Sequence, residues 1–309
     1  MPDALPPVLG GAPEPGARRR RLRDLLGART ATLVPGVVDA LTAVVAEDAG
    51  FECCYLTGAG MANMALGAPD VGLVSLDALV TQARRMVAAT SIAVIVDVDT
   101  GFGGPTSLMH VMQALESAGV SAVQIEDQTI PKRCGHFDRK SVVTVAEMQR
   151  KIDAATRARR DDALVVIART DAIAVEGFDA AIERARHYAE AGADVLFVEA
   201  PTDLEQLRAI PRLLPQLPHL ANVVEGGRTP VLPAAQLADL GYRLVLHANV
   251  TMRAMVWAAQ QTLSYLRRNG RSDHPSVPFI GWQERQALVR LGDFDDIEDE
   301  LARRWPEAR

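Results

Sequence analysis

The sequence is poor in the features that usually identify membrane and nucleic-acid-binding proteins. No apolar run reaches the roughly 18 residues that a membrane-spanning helix needs. Aromatic residues make up only 5% of the 309 residues, which leaves little material for a base-stacking surface. The net charge of −6 provides no general attraction for phosphate groups. We therefore predict a soluble globular protein that neither spans a membrane nor binds nucleic acid.

Cysteine is scarce, and the N-terminus lacks the apolar core of a secretory signal. The three cysteines are Cys53, Cys54 and Cys134, an odd number with two adjacent, so no disulfide framework is indicated. A reducing cytoplasm suits this composition best. Residues 1–17 are rich in proline and glycine and lead into the basic run Arg18–Arg21. We interpret 1–17 as a disordered tail before a short helix, the alternatives for the basic run being an address signal or a nucleic-acid contact.

A repeated pattern of a short apolar run, a polar loop and an amphipathic helix covers most of the chain. Eight such runs are predicted to be strands: Ala31–Val34, Cys53–Thr57, Ala93–Asp97, Ala122–Glu126, Val165–Arg169, Val195–Glu199, His219–Val223 and Leu244–Leu246. Alternating strands and helices with buried apolar strands are typical of a parallel sheet. We predict an α/β fold with a (β/α)8 TIM barrel over residues 18–270, a doubly wound open sheet being the alternative.

Polar side chains stand at or just after the C-terminal ends of the predicted strands. They are Asp97, Asp99, Glu126, Arg169, Glu199 and Asn222. In a TIM barrel these strand ends converge on one mouth, where the active site lies. Six such residues from five strands predict an active site at that mouth.

Two of these carboxylates predict a metal site. Asp97 and Asp99 are at positions i and i+2 of a predicted strand and would point to the same side. Like charges this close need a cation, and ligation by oxygen alone favours Mg²⁺, with Mn²⁺ as the second choice. Glu126 and Asp127 would complete the outer shell. The alternative is that the carboxylates cap the next helix.

The loop after the fourth predicted strand contains a candidate acid. In the segment Lys132–His136, two cations and an imidazole surround Cys134 and would lower the pKa of its thiol. An inert loop cysteine is the alternative, and zinc is disfavoured because no second Cys or His pair follows. Cys53 and Cys54 lie in an apolar strand and are predicted to be core residues.

Two further features would bind carboxylate groups of a substrate. Arg169 ends the fifth predicted strand and would clamp a carboxylate bidentately, unless it pairs with Glu199 instead. Thr57–Gly60 ends the second predicted strand and would offer backbone N–H groups as an anion-binding nest, a simple turn being the alternative.

Together these motifs resemble the isocitrate lyase/phosphoenolpyruvate mutase superfamily from about Leu22 to Leu266. The matching blocks are Asp97–Gly103, Glu126–Gln128, Lys132–His136, Ala168–Ala172 and Asn222–Gly227. The segment Lys132–His136 is similar to the active-site loop of the lyase branch, whereas the phosphonate-forming mutases have Asn-Ser in place of Cys134-Gly135. The resemblance therefore favours a lyase similar to 2-methylisocitrate lyase, 2,3-dimethylmalate lyase and the carboxyvinyl-carboxyphosphonate phosphorylmutase-like proteins.

The resemblance also implies a role for each site residue. It implies that Asp97 binds Mg²⁺ directly and that three further carboxylates reach it through water: Asp99, Glu126 and Asp70. The residues implied to bind substrate are Thr57, Gly58, Ala59, Glu199 and Asn222, with Arg133 and Gly135 of the active-site loop; Asn249 is a further candidate from a stretch that departs from the family. Those implied to act in catalysis are Cys134, Tyr55, Lys132, His136 and Arg169. Cys134 would donate a proton to the departing enolate, and Tyr55 or a bound water would act as the base.

One stretch departs from the family pattern. The family's lyases commonly have an apolar Pro-Leu-Ser/Thr turn after the eighth strand, where this chain has His247–Val250. Asn249 would add an amide to that wall of the pocket, so we expect a substrate more polar than 2-methylisocitrate. The alternative is that Asn249 caps the following helix.

The functional hypothesis is a Mg²⁺-dependent carbon–carbon lyase that cleaves a small 2-hydroxy di- or tricarboxylate, 2-methylisocitrate-like or a substituted malate, by retro-aldol chemistry. The alternatives are a hydrolase of an oxaloacetate-like 2-keto acid on the same scaffold and a catalytically silent barrel. The complete set of polar residues at the mouth argues against the silent barrel. By resemblance, residues 271–309 form an excursion and a helix, Trp282–Trp305, that swaps between subunits of a homotetramer arranged as a dimer of dimers.

Overall fold

The computed structural model describes residues 5–133, 140–227 and 229–306 and has the predicted α/β barrel. Its strands are β1 (Thr32–Val37), β2 (Cys53–Leu56), β3 (Ala93–Asp97), β4 (Ala122–Glu126), β5 (Val165–Thr170), β6 (Val195–Val198), β7 (His219–Asn222) and β8 (Tyr242–His247). Each strand pairs in parallel with the next, and β8 pairs with β1 to close the barrel. The open-sheet alternative is therefore excluded.

Thirteen helices accompany the strands in the described part of the chain. They are α1 (Pro15–Gly27), α2 (Ala40–Asp48), α3 (Gly58–Leu66), α4 (Leu76–Ala89), α5 (Pro105–Ser117), α6 (Val145–Ala158), α7 (Ile173–Glu176), α8 (Phe178–Glu190), α9 (Leu204–Leu213), α10 (Ala234–Leu240), α11 (Val250–Asn269), α12 (Trp282–Leu288) and α13 (Leu291–Arg304). Within the described ranges, no helix is long and apolar enough to cross a membrane.

The core has two layers separated by the sheet. Inside the barrel, Tyr55, Ile95 and Phe197 pack among aliphatic residues of the other strands, and a larger cluster fills the space between the sheet and the helices. Cys53 belongs to the inner layer and Cys54 to the outer one, and both are fully buried, which confirms that they are core residues. Because the interior is packed, the open space for a ligand lies at the mouth.

The first strand is longer than predicted. It was predicted to end at Val34 but extends through Pro35 and Gly36 to Val37, because Pro35 pairs with His247 of β8 and Gly36 with Tyr55 of β2. A Cβ atom on Gly36 would lie 1.8 Å from the carbonyl oxygen of Ala248. Glycine is therefore required where β1 passes the segment that follows β8.

The basic run at the N-terminus closes the bottom of the barrel. Helix α1 begins at Pro15, inside the segment predicted as a tail, and buries Arg18 and Arg19. Arg18 donates to the carbonyl oxygens of Val87 and Thr90 at 2.7 and 2.6 Å, and Arg19 donates to that of Val120 at 2.9 Å. A buried guanidinium is tolerated when its N–H groups are paired in this way. Arg18 and Arg19 are therefore structural, whereas Arg20 and Arg21 are exposed.

The C-terminal segment differs from the single predicted helix. It forms two helices, α12 and α13, because Arg290 adopts a left-handed conformation with φ +59° between them. Neither helix buries a residue within the described chain, and Trp282 and Trp305 are 72% and 73% exposed.

Candidate active site

The cavity at the barrel mouth brings together most of the residues predicted for the active site. The predicted residues that line it are Tyr55, Thr57, Ala59, Asp70, Asp97, Glu126, Lys132, Arg133, Arg169, Glu199, Asn222 and Asn249. Gly58 lies against Asp97 and Asp99, since a Cβ atom on it would be 3.2 and 3.0 Å from their carboxylate oxygens. The predicted residues Cys134, Gly135 and His136 lie outside the described residues.

The two aspartates predicted as metal ligands lie together, but not as alternate residues of one strand. Strand β3 ends at Asp97, and Asp99 lies in the following turn with a left-handed φ of +50°. The backbone N–H of Asp99 donates to the Asp97 carboxylate at 3.1 Å, and that of Gly58 donates to it at 3.4 Å. The turn therefore directs both carboxylates to the mouth.

Lys132 lies among the carboxylates of Asp70, Asp97, Asp99 and Glu126, which we call the acidic cluster. Its ammonium group contacts the carboxylate of Asp99 at 2.6 Å and also pairs with Asp70. Burial alone would lower the pKa of Lys132, but the surrounding carboxylates, led by Asp99, raise it above its ordinary value. The sequence analysis considered Lys132 only as a neighbour of Cys134. It could not predict the ion pair with Asp70, which is 62 residues away in the sequence.

The acidic cluster has too little positive charge around it. Burial, followed by the charge of Asp97, raises the pKa of Asp99 to about 7 in spite of Lys132. Burial also raises the pKa of Glu126 well above its usual range, although Arg169 opposes the shift. One oxygen of Glu126, Oε1, is buried with no hydrogen-bond partner in the described chain. Such a site is suited to a hard cation that these oxygen ligands share.

The carboxylates do not by themselves form a closed metal cage. Across residues 5–133, 140–227 and 229–306, no three Asp, Glu, His or Cys side chains converge closely enough to hold an ion. Mg²⁺ commonly keeps several waters and uses only one or two carboxylates as direct ligands. The arrangement is thus compatible with one direct ligand and an outer shell bridged by water. Asp127, also predicted for that shell, instead accepts hydrogen bonds from Thr170 and Tyr188 at 2.7 and 2.8 Å.

Arg169 is held in a buried ion-pair network at the end of β5. Its guanidinium lies 3.1 Å from Glu126 and 2.9 Å from Asp171, and it stacks 5.4 Å from the centre of the Phe197 ring. Burial alone would lower the pKa of Arg169, but Asp171 and Glu126 raise it, so the group is charged. The charge of Glu199, the partner considered from the sequence, adds to the same shift after those of Asp171 and Glu126. The ion pairs fix the guanidinium in the cavity wall, and because Nε and Nη2 already pair with Asp171, only N–H groups outside that pair are left for a substrate carboxylate.

Gln124 is a site residue that the sequence analysis missed. The hydroxyl of Tyr55 donates to Gln124, whose amide in turn donates to Asp97 at 3.3 Å. Burial, with Asp97 adding to it, raises the pKa of Tyr55 well above its ordinary value. A phenol that stays protonated is a hydrogen-bond donor, so the structure gives no support to Tyr55 as the base. The available clue was the spacing of Gln124 and Glu126, which puts two polar side chains on one face of an apolar strand.

Lys140 is a second residue that was missed. Its ammonium group contacts Asp171 at 2.8 Å, and the two side chains are 1% and 0% exposed. Asp171 is also the partner of Arg169. Lysines thus stand at both ends of the segment from 132 to 140, one paired in the acidic cluster and one paired behind Arg169. The sequence shows that this segment begins with Lys-Arg and ends with Arg-Lys, but it does not show the partners of the two lysines.

The predicted anion nest is the first turn of α3. The side chain of Thr57 accepts from the backbone N–H of Gly60 at 3.3 Å and so caps the helix. The backbone N–H of Gly58 points to Asp97. Two of the N–H groups considered for a substrate carboxylate are therefore already paired within the protein.

Two asparagine side chains, Asn222 and Asn249, also line the cavity. Asn222 donates to the two carboxylate oxygens of Glu199 at 3.3 and 3.4 Å. Asn249 precedes α11 as its N-cap residue, yet its side chain accepts no capping hydrogen bond from the described chain. The Oδ1 atoms of both asparagines are buried and have no partner among the described residues. The capping role considered for Asn249 is therefore not observed.

The chain is similar to known proteins along most of its length. Residues 22–267 match the family model described as phosphoenolpyruvate phosphomutase. The chain is 42% identical over 267 residues to a probable 2-methylisocitrate lyase of Corynebacterium glutamicum, with 85% of each chain covered. It is 41% identical over 282 residues to the 2,3-dimethylmalate lyase of Eubacterium barkeri, covering 91% of this chain and 97% of the relative.

Solved structures resemble the whole fold. Oxaloacetate acetylhydrolase in complex with the inhibitor 3,3-difluorooxalacetate superposes with a TM-score of 0.88 at 32% identity, covering 94% of this chain and 99% of that chain. Phosphonopyruvate hydrolase in complex with oxalate and Mg²⁺ superposes with a TM-score of 0.81 at 29% identity, with the same coverage of 94% and 99%.

Proposed function

The chain belongs to the phosphoenolpyruvate mutase/isocitrate lyase superfamily as an enzyme of the isocitrate lyase type, and we propose that it cleaves a 2-hydroxy di- or tricarboxylate by Mg²⁺-dependent retro-aldol chemistry. The relatives that are about 40% identical are named as lyases of 2-methylisocitrate and 2,3-dimethylmalate, which are substrates of this class. The observation that carries the proposal is the buried acidic cluster beside a charged Arg169 in one cavity.

The residues present fit Mg²⁺. Asp97 would hold the ion directly, and Asp70, Asp99 and Glu126 would reach it through water; all supply the oxygen atoms that a hard cation prefers. Glu126 Oε1 has no partner in the described chain, and the pKa of Asp99 is raised. Both observations favour a cation bound at these carboxylates. The Mg²⁺ in the phosphonopyruvate hydrolase complex supports the same metal. When bound, Mg²⁺ would supply the positive charge that an enolate needs.

The roles of the chain's own residues follow from the reaction. A base takes the proton of the substrate hydroxyl, the bond from the hydroxyl-bearing carbon to its neighbour breaks, and the neighbouring carbon becomes an enolate that must gain a proton. In this proposal Arg169 orients a substrate carboxylate and the thiol of Cys134 donates that proton. Tyr55 acts as a hydrogen-bond donor, because its raised pKa keeps the phenol protonated at neutral pH and leaves no phenolate to take a proton.

Hydrolysis of an oxaloacetate-like 2-keto acid is the second candidate. It is favoured by the likeness to oxaloacetate acetylhydrolase, which superposes with a TM-score of 0.88. A 2,3-dimethylmalate lyase superposes about as well, with a TM-score of 0.85 at the same 32% identity, so structural likeness does not separate the two reactions. The relatives that are 42% and 41% identical in sequence are both named as lyases. We therefore rank the lyase first.

A product assay separates the two reactions. The enzyme with Mg²⁺ is incubated with 2-methylisocitrate, substituted malates and oxaloacetate in separate reactions. A lyase releases pyruvate or glyoxylate from a 2-hydroxy acid, whereas a hydrolase releases oxalate and acetate from oxaloacetate. We expect a 2-oxo acid product. Oxalate formation, with no 2-oxo acid from any 2-hydroxy acid, would replace the lyase by the hydrolase.

We also propose a homo-oligomer, a dimer of dimers, because the C-terminal helices expose apolar side chains. Trp257 and Leu263 of α11 and Trp282 of α12 are 56%, 63% and 72% exposed, which is costly on an isolated chain. We expect light scattering to give a mass about four times the 33.3 kDa of one chain. Leu263→Arg should lower that mass, while the exposed polar change Arg268→Glu should leave it unchanged. A monomer at micromolar concentration would contradict the proposal.

A further inference from the structure

The cavity contains two amide oxygens that have no hydrogen-bond partner among the described residues. Asn222 ends β7 and Asn249 follows β8, and both side chains line the cavity. The Oδ1 atom of each is buried, and no group in the described parts of the chain donates a hydrogen bond to it. Buried polar atoms are nearly always paired in native proteins, so a ligand group or a water must complete these amides.

Within the part of the chain that the structure describes, the side-chain oxygen of Asn249 has no structural partner. Asparagine at an N-cap normally accepts a hydrogen bond from the first turn of its helix. Here the helix begins through the backbone alone, with the Asn249 carbonyl accepting from the N–H of Arg253 at 3.0 Å. Its immediate neighbours on the cavity wall are the apolar residues Leu246 and Ala248. An amide at this point is therefore costly unless the ligand uses it.

The charged groups of the cavity suggest which part of the ligand meets the amides. Arg169 and the acidic cluster with Lys132 come from the ends of β3, β4 and β5, from the segments that follow β3 and β4, and from the segment between α3 and α4, and they suit the carboxylates and the hydroxyl that react. Asn222 ends β7 and Asn249 follows β8, and their amides are left for a substituent. An alkyl group can pair with neither end of an amide. A hydroxyl group can both donate and accept, so it satisfies an amide in either orientation.

We propose that the substrate is a malate-type 2-hydroxy acid that carries an additional hydroxyl-bearing substituent, and that Asn249 selects it with Asn222 as its neighbour in the wall. This inference rests on the proposed lyase function and deepens it. The added hydroxyl takes no part in bond cleavage. It leaves unchanged on one of the two products.

The test uses pairs of substituted malates that differ only in an alkyl or a hydroxyalkyl group at the same carbon. For the wild-type enzyme with Mg²⁺, we expect kcat/KM to favour the hydroxyalkyl member of at least one pair by about 10²-fold or more, since pockets built to bind a hydroxyl discriminate strongly. In Asn249→Leu this preference should fall below about tenfold, mainly through a higher KM for the hydroxyalkyl acid. Asn249→Ser keeps a polar partner and should retain part of the preference.

Thermal unfolding distinguishes this role from a structural one. A helix cap or a core hydrogen bond would make Asn249→Leu less stable, whereas we expect an equal or higher melting temperature, because an unpaired buried amide is removed. A wild-type enzyme that prefers the alkyl acids, an unchanged ratio in Asn249→Leu, or a clear loss of stability would overturn the inference while the lyase remains. Failure to cleave any 2-hydroxy acid would instead overturn the proposed function, and this inference with it.

Discussion

Exhaustive chelation with EDTA should lower turnover by about 10³-fold or more, and added Mg²⁺ or Mn²⁺ should restore it. The physical reason is the acidic cluster, in which Asp97 and Asp99 lie together and the charge of Asp97 helps to raise the pKa of Asp99 to about 7. Only one lysine, Lys132, pairs directly with this cluster among the described residues. Steady-state assays before chelation, after chelation and after metal addition measure the effect.

Melting temperatures with and without Mg²⁺ test the metal site without relying on turnover. Lys132→Met removes the ammonium group that pairs with Asp70 and Asp99, so the metal-free variant retains buried carboxylates without a counter-ion. We expect Mg²⁺ to raise the melting temperature of Lys132→Met more than that of the wild-type protein. The exposed change Arg157→Met is the matched control, since Arg157 and its partner Asp153 are both exposed on α6 and neither lines the cavity. Full activity after chelation, or no Mg²⁺ effect on either melting temperature, would contradict a metal site.

The second large effect is expected at Cys134. Cys134→Ser should keep the fold and lower kcat by about 10²-fold or more, the usual scale for loss of a general acid. A serine hydroxyl is a much weaker acid than a thiol and cannot donate a proton to the enolate as readily. Solvent deuterium exchange into the carbon acid product should slow with the same variant, because that exchange uses the same proton transfer in reverse.

The other cysteines provide the control for this prediction. Cys54 is fully buried in the layer between the sheet and the helices, far from any predicted role in chemistry. Cys54→Ala should therefore cost some stability but keep kcat within a few-fold of the wild-type value. Burial also raises the pKa of Cys53 to about 12, which protects it from alkylation at neutral pH. A folded Cys134→Ser enzyme with a normal rate would make another group the proton donor.

The barrel and the position of its active site were predictable because they depend on local patterns. Strands such as Ala93–Asp97 are buried on both faces, so they read as continuous apolar runs between amphipathic helices. Polar residues at the C-terminal ends of the strands must then lie at the same mouth, since all strands of this barrel run in the same direction. This is why Asp97, Glu126, Arg169 and Glu199 meet in one cavity as predicted.

The partners of buried charges were not predictable in the same way. Arg18 and Arg19 read as a solvated basic run, but their partners lie 69 and more residues along the chain. Lys140 was overlooked for the same reason, because its partner Asp171 is held behind Arg169 by the tertiary fold. A hydrogen bond depends on distances of about 3 Å, which a pattern of residue types does not contain.

The sequence by itself therefore determined the fold class and most of the residues at the mouth, because periodicity follows from local backbone geometry, and the resemblance of its motifs indicated the family. Only the tertiary structure decided that Lys132 pairs with Asp70 and Asp99, that Tyr55 donates to Gln124, and that the amide oxygen of Asn249 has no partner among the described residues. Each of these depends on which side chains from distant segments meet within hydrogen-bonding distance, and that is set by packing in three dimensions.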